Sequence, residues 1–254
     1  NTCRKIGDRG VQVKNSAALL VRLLVCAALA AGAYFWATGL IDSLYAYRSP
    51  LKDRPPESGA ALVSDPAERP SRRVVFTLVD ALRADTAADS QVMPYLNQLR
   101  QQAAWGEMRS RPPSYSAPGY SVLFTGAWPD VSDGPAFNLE YDDIPTWTQD
   151  NLFSAAHRAG LKTAISAYNW FEKLIPEADL DAGFFTPGED EAADLDVMAA
   201  ALPWLDDPAY QLVLIHIDQV DHIQHVYGAL SPETTQAASN ADGYLEQILA
   251  KLDL

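Results

Sequence analysis

A run of 25 apolar residues near the N-terminus places the strongest constraint on how this chain folds. Residues 17–41 contain a single charge, that of Arg22. Because about 20 apolar residues cross the core of a bilayer, the run predicts one transmembrane helix. Tyr34, Trp36 and Tyr45 lie toward its far end, as is typical of side chains at a membrane interface. A cleavable secretory signal is the alternative, and either segment exports the residues that follow.

The charges beside this run predict its orientation. Residues 1–16 contain four Lys or Arg residues and one Asp. Short segments rich in basic residues stay on the cytoplasmic side of a membrane. We therefore expect a single-pass membrane protein with a cytoplasmic N-terminus, residues 1–16, and an extracytoplasmic C-terminal part.

The remainder of the chain is strongly acidic. The 254 residues carry a net charge of −14, of which residues 1–54 contribute +5 and residues 55–254 contribute −19. Such a domain repels phosphate backbones, which excludes binding to a nucleic-acid polymer through a basic surface. An anionic substrate would need bound cations to offset this charge. The only two cysteines precede the acidic region, so a disulfide framework or a Cys-ligated zinc there is excluded as well.

Patterning divides the exported part into a stalk and a domain. Residues 42–70 contain five prolines, which predicts an extended stalk rather than a helix. From residue 71 to 254, apolar runs alternate with segments of helical period. Strands are predicted at 74–79, 161–167 and 211–217, and helices at 93–105, 117–125, 149–159, 192–205 and 232–252. This alternation is typical of an α/β domain with a mostly parallel sheet, whose sites form beyond the carboxyl ends of its strands.

Two of the predicted strands end in an aspartate. Asp80 directly follows the mainly apolar run VVFTLV, where a carboxylate is costly to bury unless a cation lies beside it. A metal ligand, a helix N-cap and a partner for Arg83 all fit this position. Asp218 opens the segment DQVDHIQH, and three of the four histidines, His216, His222 and His225, lie within ten residues. Interleaved carboxylates and imidazoles suit a zinc-type cation, whereas the alternative is a polar surface loop.

Within that segment, the spacing favours some residues over others. Asp218 and His222 are four residues apart and can converge on one helical turn. His216 alternates with Ile215 and Ile217 inside the predicted strand, so a core role makes it the weakest candidate ligand.

A third segment places a serine at the start of a helix. In RPPSYSAPGY, residues 111–120, the prolines predict an extended approach and then a helical first turn. Ser116 therefore lies at a helix N-terminus, which favours bound anions. It is a candidate nucleophile activated by a neighbouring cation. Capping of the helix by Ser114 or Ser116 is the alternative.

Taken together, these segments resemble the alkaline phosphatase superfamily. VDALRAD is similar to the first metal motif of GPI-anchor ethanolamine phosphate transferases, and PSYSAPGYSVLFTGAWPD to their nucleophile loop. Asp218 to His222 resembles their Asp-x-x-Gly-His motif, with Asp221 in place of Gly. Type I phosphodiesterases and nucleotide pyrophosphatases share this order of motifs. The likeness covers residues 73–252 and implies a three-layer α/β domain.

The resemblance also implies the chemistry. Asp80 and Ser116 would belong to one metal site, and Asp218 and His222 to a second. Two divalent ions, zinc being favoured, would serve a Ser116 that becomes transiently phosphorylated. A phosphodiester or phospholipid-type substrate is expected. Asp221 is either an additional ligand or a polar loop residue.

Departures from the family pattern leave other interpretations open. The family supplies a later Asp-His pair and a further His that do not occur by residue 254. We therefore expect a fragment with about half of the ligands, weak metal binding and little turnover by residues 71–254 alone. Ser116-x-Pro118 also resembles the sulfatase maturation signal, but Tyr120 occupies the position of its Arg. A non-catalytic, membrane-anchored binding protein on a degenerate enzyme fold is the second alternative.

Overall fold

The computed structural model describes residues 5–49, 73–112 and 114–252, with side chains described from residue 17 onward. The chain separates into two compact units, one ending at Tyr47 and the other beginning at Arg48. Most of the predicted stalk, and the predicted domain boundary at residue 71, lie outside the described residues.

The first unit is one long helix, α1, which spans Lys5–Tyr45. Its segment Ala17–Tyr45 contains an 18-residue stretch with a mean hydropathy of 2.1, and none of that stretch is buried. Among the described residues, this is the one helix long and apolar enough to cross a membrane. The helix predicted at 17–41 is therefore present and continues four residues further.

The second unit is built on four parallel strands, in the spatial order β1-β4-β2-β3. The strands are β1 (Val74–Val79), β2 (Lys162–Tyr168), β3 (Ala182–Thr186) and β4 (Tyr210–Ile217). The helices are α2 (Ala84–Ala88), α3 (Pro94–Leu99), α4 (Ser116–Thr125), α5 (Leu152–Arg158), α6 (Trp170–Leu174), α7 (Glu191–Asp206), α8 (Gln219–Tyr227) and α9 (Pro232–Lys251). Parallel strands need crossover connections, which the helices provide.

Side chains alternate along each strand and so fill two separate cores. Val213 and Ile215 of β4 point to the face covered by α7 and α9. Leu214, between them, points to the opposite face, covered by α4, α5 and α6. The predicted three-layer α/β architecture with a parallel sheet is confirmed.

Three local predictions differ from the structure. The helix predicted at 93–105 ends at Leu99, because the residues beyond it are exposed and have no core to pack against. Strand β3 was not predicted, since its sequence AGFFT is short and contains a glycine. It forms by pairing with β2. Residues 219–227, which include the segment interpreted as either a ligand cluster or a loop, form the helix α8.

A buried carboxylate joins α9 to α3. The Asp242 side chain, 4% exposed, accepts hydrogen bonds from the backbone N–H groups of Tyr95 and Leu96, both at 2.8 Å. These two donors lie in the first turn of α3, where a helix has no internal partner for them. Asp242 thus satisfies the start of a short helix from a distant element.

We predict that Asp242→Ala lowers the free energy of unfolding by about 2 kcal/mol, because two buried N–H groups lose their acceptor. Thermal and urea denaturation of the purified chain measure this change. Glu246→Ala, an exposed acidic residue on the same helix, is the matched control and should have little effect. Equal stability of the two variants would show that Asp242 does not secure α3.

Candidate active site

The register of β1 and β4 brings two aspartates to one edge of the sheet. Val79 pairs with Ile217, and each residue is followed directly by an aspartate. The backbone N–H of Asp80 donates to the carbonyl of Ile217 at 2.9 Å. Asp80 and Asp218 therefore leave neighbouring strands side by side, at the carboxyl edge where open α/β sheets form their sites.

His216 lies between these two carboxylates. Its side chain is fully buried, with Nε2 3.9 Å from Asp80 Oδ2 and 3.8 Å from Asp218 Oδ1. One ligand atom from each of the three residues lies within 4.8 Å of the others. The sequence made His216 the weakest candidate because it occupies a strand interior, but its ring reaches the strand ends.

Tyr120, on α4, contacts this cluster from the helix layer that covers the Leu214 face of the sheet. Its hydroxyl donates to Asp80 Oδ2 at 2.5 Å and lies 3.1 Å from His216 Nε2. The ring stacks on Phe171 with centroids 4.5 Å apart and is almost entirely buried. Burial, and then the charge of Asp80, raise the pKa of Tyr120 well above its usual value. The phenol therefore stays protonated as a donor.

Ser116 is the first residue of α4 and lies one turn before Tyr120. Its hydroxyl lies close enough to the Asp80 carboxylate and to the Tyr120 hydroxyl to lower the pKa of each. The capping alternative is not observed, because the N-cap is Tyr115, which makes no side-chain cap. Instead, the side chain of Asn138 accepts the Ala117 N–H at 3.0 Å.

The two non-catalytic roles considered for Asp80, a helix N-cap and a partner for Arg83, are not observed either. Arg83 pairs with Asp85 rather than with Asp80. Helix α2 begins after Arg83, so Asp80 does not cap it. Asp80 Oδ1 instead accepts the N–H of Ala81 at 2.7 Å, in a tight turn where Ala81 has a φ of 51°. A non-glycine residue at positive φ is costly, and such positions occur frequently near functional sites.

A cavity of about 490 Å³ opens over these groups, and Asp80, Ser116, Tyr120 and Asp221 all line it. Asp221 lies on α8, and its carboxylate is 3.4 Å from His225, one helical turn further on. Of the two roles left open for Asp221, the structure places the residue at the cavity rather than in a loop.

The His222 side chain does not face the cluster of Asp80, His216 and Asp218. The helical turn predicted from Asp218 forms, with the His222 N–H 3.3 Å from the Asp218 carbonyl. Its ring, however, pairs through Nδ1 with Glu189 Oε2 at 3.3 Å and lines an open groove beside α7. The structure thus brings together Asp80, Ser116 and Asp218 with His216, whereas His222 faces Glu189.

The surroundings of Asp80 and Asp218 shift the pKa values of these two carboxyl groups in opposite directions. Burial by itself raises the pKa of Asp80, but the His216 imidazole and the two nearby hydroxyl groups outweigh it and lower this pKa to about 2. For Asp218, burial dominates, and the charge of Asp80 adds to it, so that the pKa rises to about 7. Carboxylates whose surroundings move their pKa values apart are typical of functional sites.

A further buried carboxylate, which no motif in the sequence indicated, fixes the turn after β4. Asp194 of α7 accepts the N–H groups of Asp218 at 2.8 Å and Gln219 at 3.2 Å, and it is 1% exposed. An acidic residue on the apolar face of a predicted helix is the signal that could have identified it. Asp194 orients the backbone that carries Asp218.

These residues fit a divalent cation. Two carboxylates and an imidazole with converging ligand atoms form a donor set that zinc-type ions accept. A dication beside Asp218 would also compensate for the burial that raises the pKa of this carboxyl. Asp80, His216 and Asp218 are therefore the described residues best placed to hold an ion.

We predict that the metal-free chain loses stability as the pH rises from about 5.5 to about 8, on the order of 1–3 kcal/mol. The folded Asp218 carboxyl titrates near 7 and the unfolded one near 3.8. The unfolded state thus binds fewer protons in this window, so the free energy of unfolding falls with pH. The raised pKa of His216 acts in the same direction.

Urea unfolding in EDTA at the two pH values measures this slope, and Asp218→Asn should reduce it. Asp194, whose pKa burial raises to about 6, and His216 supply the remainder. Asp196→Asn, an exposed residue on α7, is the control that should retain the slope. Added zinc should stabilise the chain more at the higher pH, where the ligands bind it without losing protons. A slope unchanged by Asp218→Asn would contradict the assignment of the raised pKa to that carboxyl.

Comparison with known proteins identifies relatives of the second unit. Human GPI ethanolamine phosphate transferase 2 is 29% identical over 189 residues, covering 71% of this chain and 19% of the relative. Mouse GPI ethanolamine phosphate transferase 3 is 25% identical over 208 residues, covering 72% of this chain and 19% of the relative. The chain thus spans about a fifth of the length of these curated relatives.

A solved structure shares the fold. An inactive variant of murine ectonucleotide pyrophosphatase/phosphodiesterase 5, in complex with AMP, superposes with a TM-score of 0.56. It is 17% identical, and the match covers 72% of this chain and 53% of that protein. The family model for type I phosphodiesterases and nucleotide pyrophosphatases matches residues 74–254. The chain therefore belongs to the type I phosphodiesterase/nucleotide pyrophosphatase family.

Proposed function

We propose that this protein is a divalent-metal-dependent phosphodiesterase or phosphoethanolamine-type phosphotransferase in which Ser116 becomes transiently phosphorylated. The observation that supports this most directly is that Ser116 and Asp80 line one cavity, with the Ser116 hydroxyl close enough to the Asp80 carboxylate to lower its pKa. Asp80 in turn lies within reach of Asp218 and His216. A serine at the start of a helix, beside a cluster of metal-ligand type, is placed for nucleophilic attack on an anionic ester.

A bound divalent cation would supply Lewis acidity for the phosphoryl oxygens and for the serine oxygen. The remaining chemistry belongs to the chain. Ser116 Oγ forms a bond to phosphorus, the bond from phosphorus to the first alcohol breaks, and that alcohol leaves with a proton. Tyr120 donates to Asp80 through its hydroxyl and so holds this carboxylate in place beside Ser116. The P–Oγ bond then breaks as water or a second alcohol attacks, which separates a hydrolase from a transferase.

We propose zinc as the ion, and a second ion beside the first. Asp80, Asp218 and His216 are the donors for one ion. His222, the sequence-based candidate for the other, would first have to leave Glu189. Asp221 is better placed than His222, because it lines the cavity together with Ser116.

The membrane arrangement is also part of the proposal. Helix α1 would anchor the protein, with residues 1–16 in the cytoplasm and the acidic domain outside it. The relatives named GPI ethanolamine phosphate transferases support a phospholipid-type substrate. Such a substrate suits a domain tethered beside the bilayer.

We expect Ser116→Ala to reduce turnover of a p-nitrophenyl phosphodiester by at least about a thousandfold, because the nucleophile is lost. Release of p-nitrophenolate by the full-length protein in detergent with zinc measures this. Ser90→Ala, an exposed serine between α2 and α3, is the matched control and should retain full activity. Turnover by Ser116→Ala at the wild-type rate would remove Ser116 from the mechanism.

We expect Asp80→Asn to weaken zinc binding at least about tenfold, because a partly buried anionic ligand becomes neutral. Isothermal titration calorimetry measures the affinity, and Asp85→Asn, an exposed aspartate paired with Arg83, is the control. Dialysis against EDTA should abolish turnover, and zinc should restore it. Zinc binding through Asp80 without any turnover by the full-length protein would instead favour the non-catalytic binding protein.

A further inference from the structure

The cavity that contains Ser116 is larger than a phosphoryl group requires. Its volume of about 490 Å³ lies in the range of pockets that hold whole small molecules. Besides the acidic and hydroxyl groups described above, a second set of side chains lines it: Met108, Arg109, Arg111, Tyr115 and Trp128. We call this set the arginine wall. It combines apolar and aromatic surface with two positive charges.

Arg111 is the fixed part of the arginine wall. Its Nη2 is 2.7 Å from Asp130 Oδ1, and its guanidinium lies over the ring of Trp128, 4.6 Å from the centroid. The carboxylate neutralises the charge, and the stacking holds the side chain in place. Arg111 therefore shapes the cavity but has little charge left for a ligand.

Arg109 is the residue of the arginine wall whose charge is available to a ligand. Its one ion pair among the described residues is with Glu107 at 3.7 Å, longer than a hydrogen bond, and its side chain is 89% exposed. Other arginines of the described domain are engaged: Arg73 with backbone carbonyls, and Arg158 with Asp150. Arg109 thus presents the hydrogen-bonding fork of a guanidinium to the cavity.

The composition of the domain makes this position informative. Residues 55–254 contain eleven Lys or Arg residues against thirty acidic ones. Two of those eleven line the cavity of the candidate nucleophile. An exposed arginine is common on protein surfaces, but one that lines the cavity of the candidate nucleophile is unexpected where cations are scarce. The metal ligands serve the reacting phosphate, so Arg109 has no partner in a substrate with one anionic group.

We propose that the phosphodiester acted on by Ser116 carries a second anionic group, a phosphate or a carboxylate, on one of its two alcohols, and that Arg109 binds this group. The inference rests on the proposed function and defines its substrate class. Met108, Tyr115 and Trp128 contact the apolar portion between the two anions. Arg109 is a specificity-determining residue, since it touches the substrate at a distance from the reacting phosphorus.

Matched substrates test this. We compare p-nitrophenyl propyl phosphate with its analogues bearing a phosphate or a carboxylate at the end of the propyl chain. The full-length protein with zinc should favour at least one doubly anionic substrate in kcat/KM by about tenfold, the size of one charge-assisted hydrogen-bonded contact. Arg109→Ala should remove this preference, mainly through KM, and Arg109→Lys should restore part of it. The two analogues distinguish a phosphate from a carboxylate.

Arg158→Ala is the matched control, because Arg158 is an exposed arginine on α5 and does not line the cavity. It should leave the preference unchanged. Raising the salt concentration should reduce the preference in the wild type, as expected for an exposed charge. A wild-type protein without any preference, or a preference that survives Arg109→Ala, would overturn the inference.

A binding measurement separates this inference from the proposed function. In Ser116→Ala, calorimetry reports the affinity for the same substrates without their turnover. The dissociation constant of the favoured doubly anionic compound should rise about tenfold when Arg109→Ala is added. Such a rise, in a protein whose wild type turns over none of the compounds, would support the anion site and refute the catalytic proposal. Turnover of all three compounds, with no effect of Arg109→Ala on the affinity or on the preference, would support the catalytic proposal and refute the anion site.

Discussion

The parallel pairing of β1 with β4 is the interaction on which the candidate site depends. Register places Val79 beside Ile217, so the residues that follow, Asp80 and Asp218, leave the sheet as neighbours. A slip of one residue would move every side chain of the strand to the other face. The two hydrophobic cores, one on each face, prevent such a slip and so determine the separation of the two carboxylates.

Burial of so many ionisable groups has a cost that the surrounding structure offsets. His216 lies where two carboxylates converge, and Tyr120 donates to one of them. Asp194 accepts hydrogen bonds from the backbone N–H groups of Asp218 and Gln219 at the start of α8. The pKa of Asp218 nevertheless rises to about 7, so the protein groups alone do not fully compensate for the burial of this carboxylate. A bound cation would supply that compensation, as it would for an anionic substrate beside a domain of charge −19.

Much of the fold could be predicted from alternating periodicity, because each strand and its following helix have local signals. Asp80 and Asp218 were identified for the same reason: each ends an apolar run. The partners could not be predicted, because they depend on packing between distant elements. His216 becomes part of the cluster because the pairing of β4 with β1 brings its ring between Asp80 and Asp218. The face of α8 that reaches Glu189, and with it the orientation of His222, depends on the packing of α8 beside α7.

The proposed mechanism requires that Ser116 carries the phosphoryl group during turnover. Acid quenching of the full-length protein during steady-state turnover of a phosphodiester, followed by peptide mass spectrometry, tests it most directly. We expect a phosphate on the peptide that contains Ser116, present with substrate and zinc and absent with EDTA. Product formation at full rate with Ser116 unmodified, or with the phosphate on another residue, would contradict it.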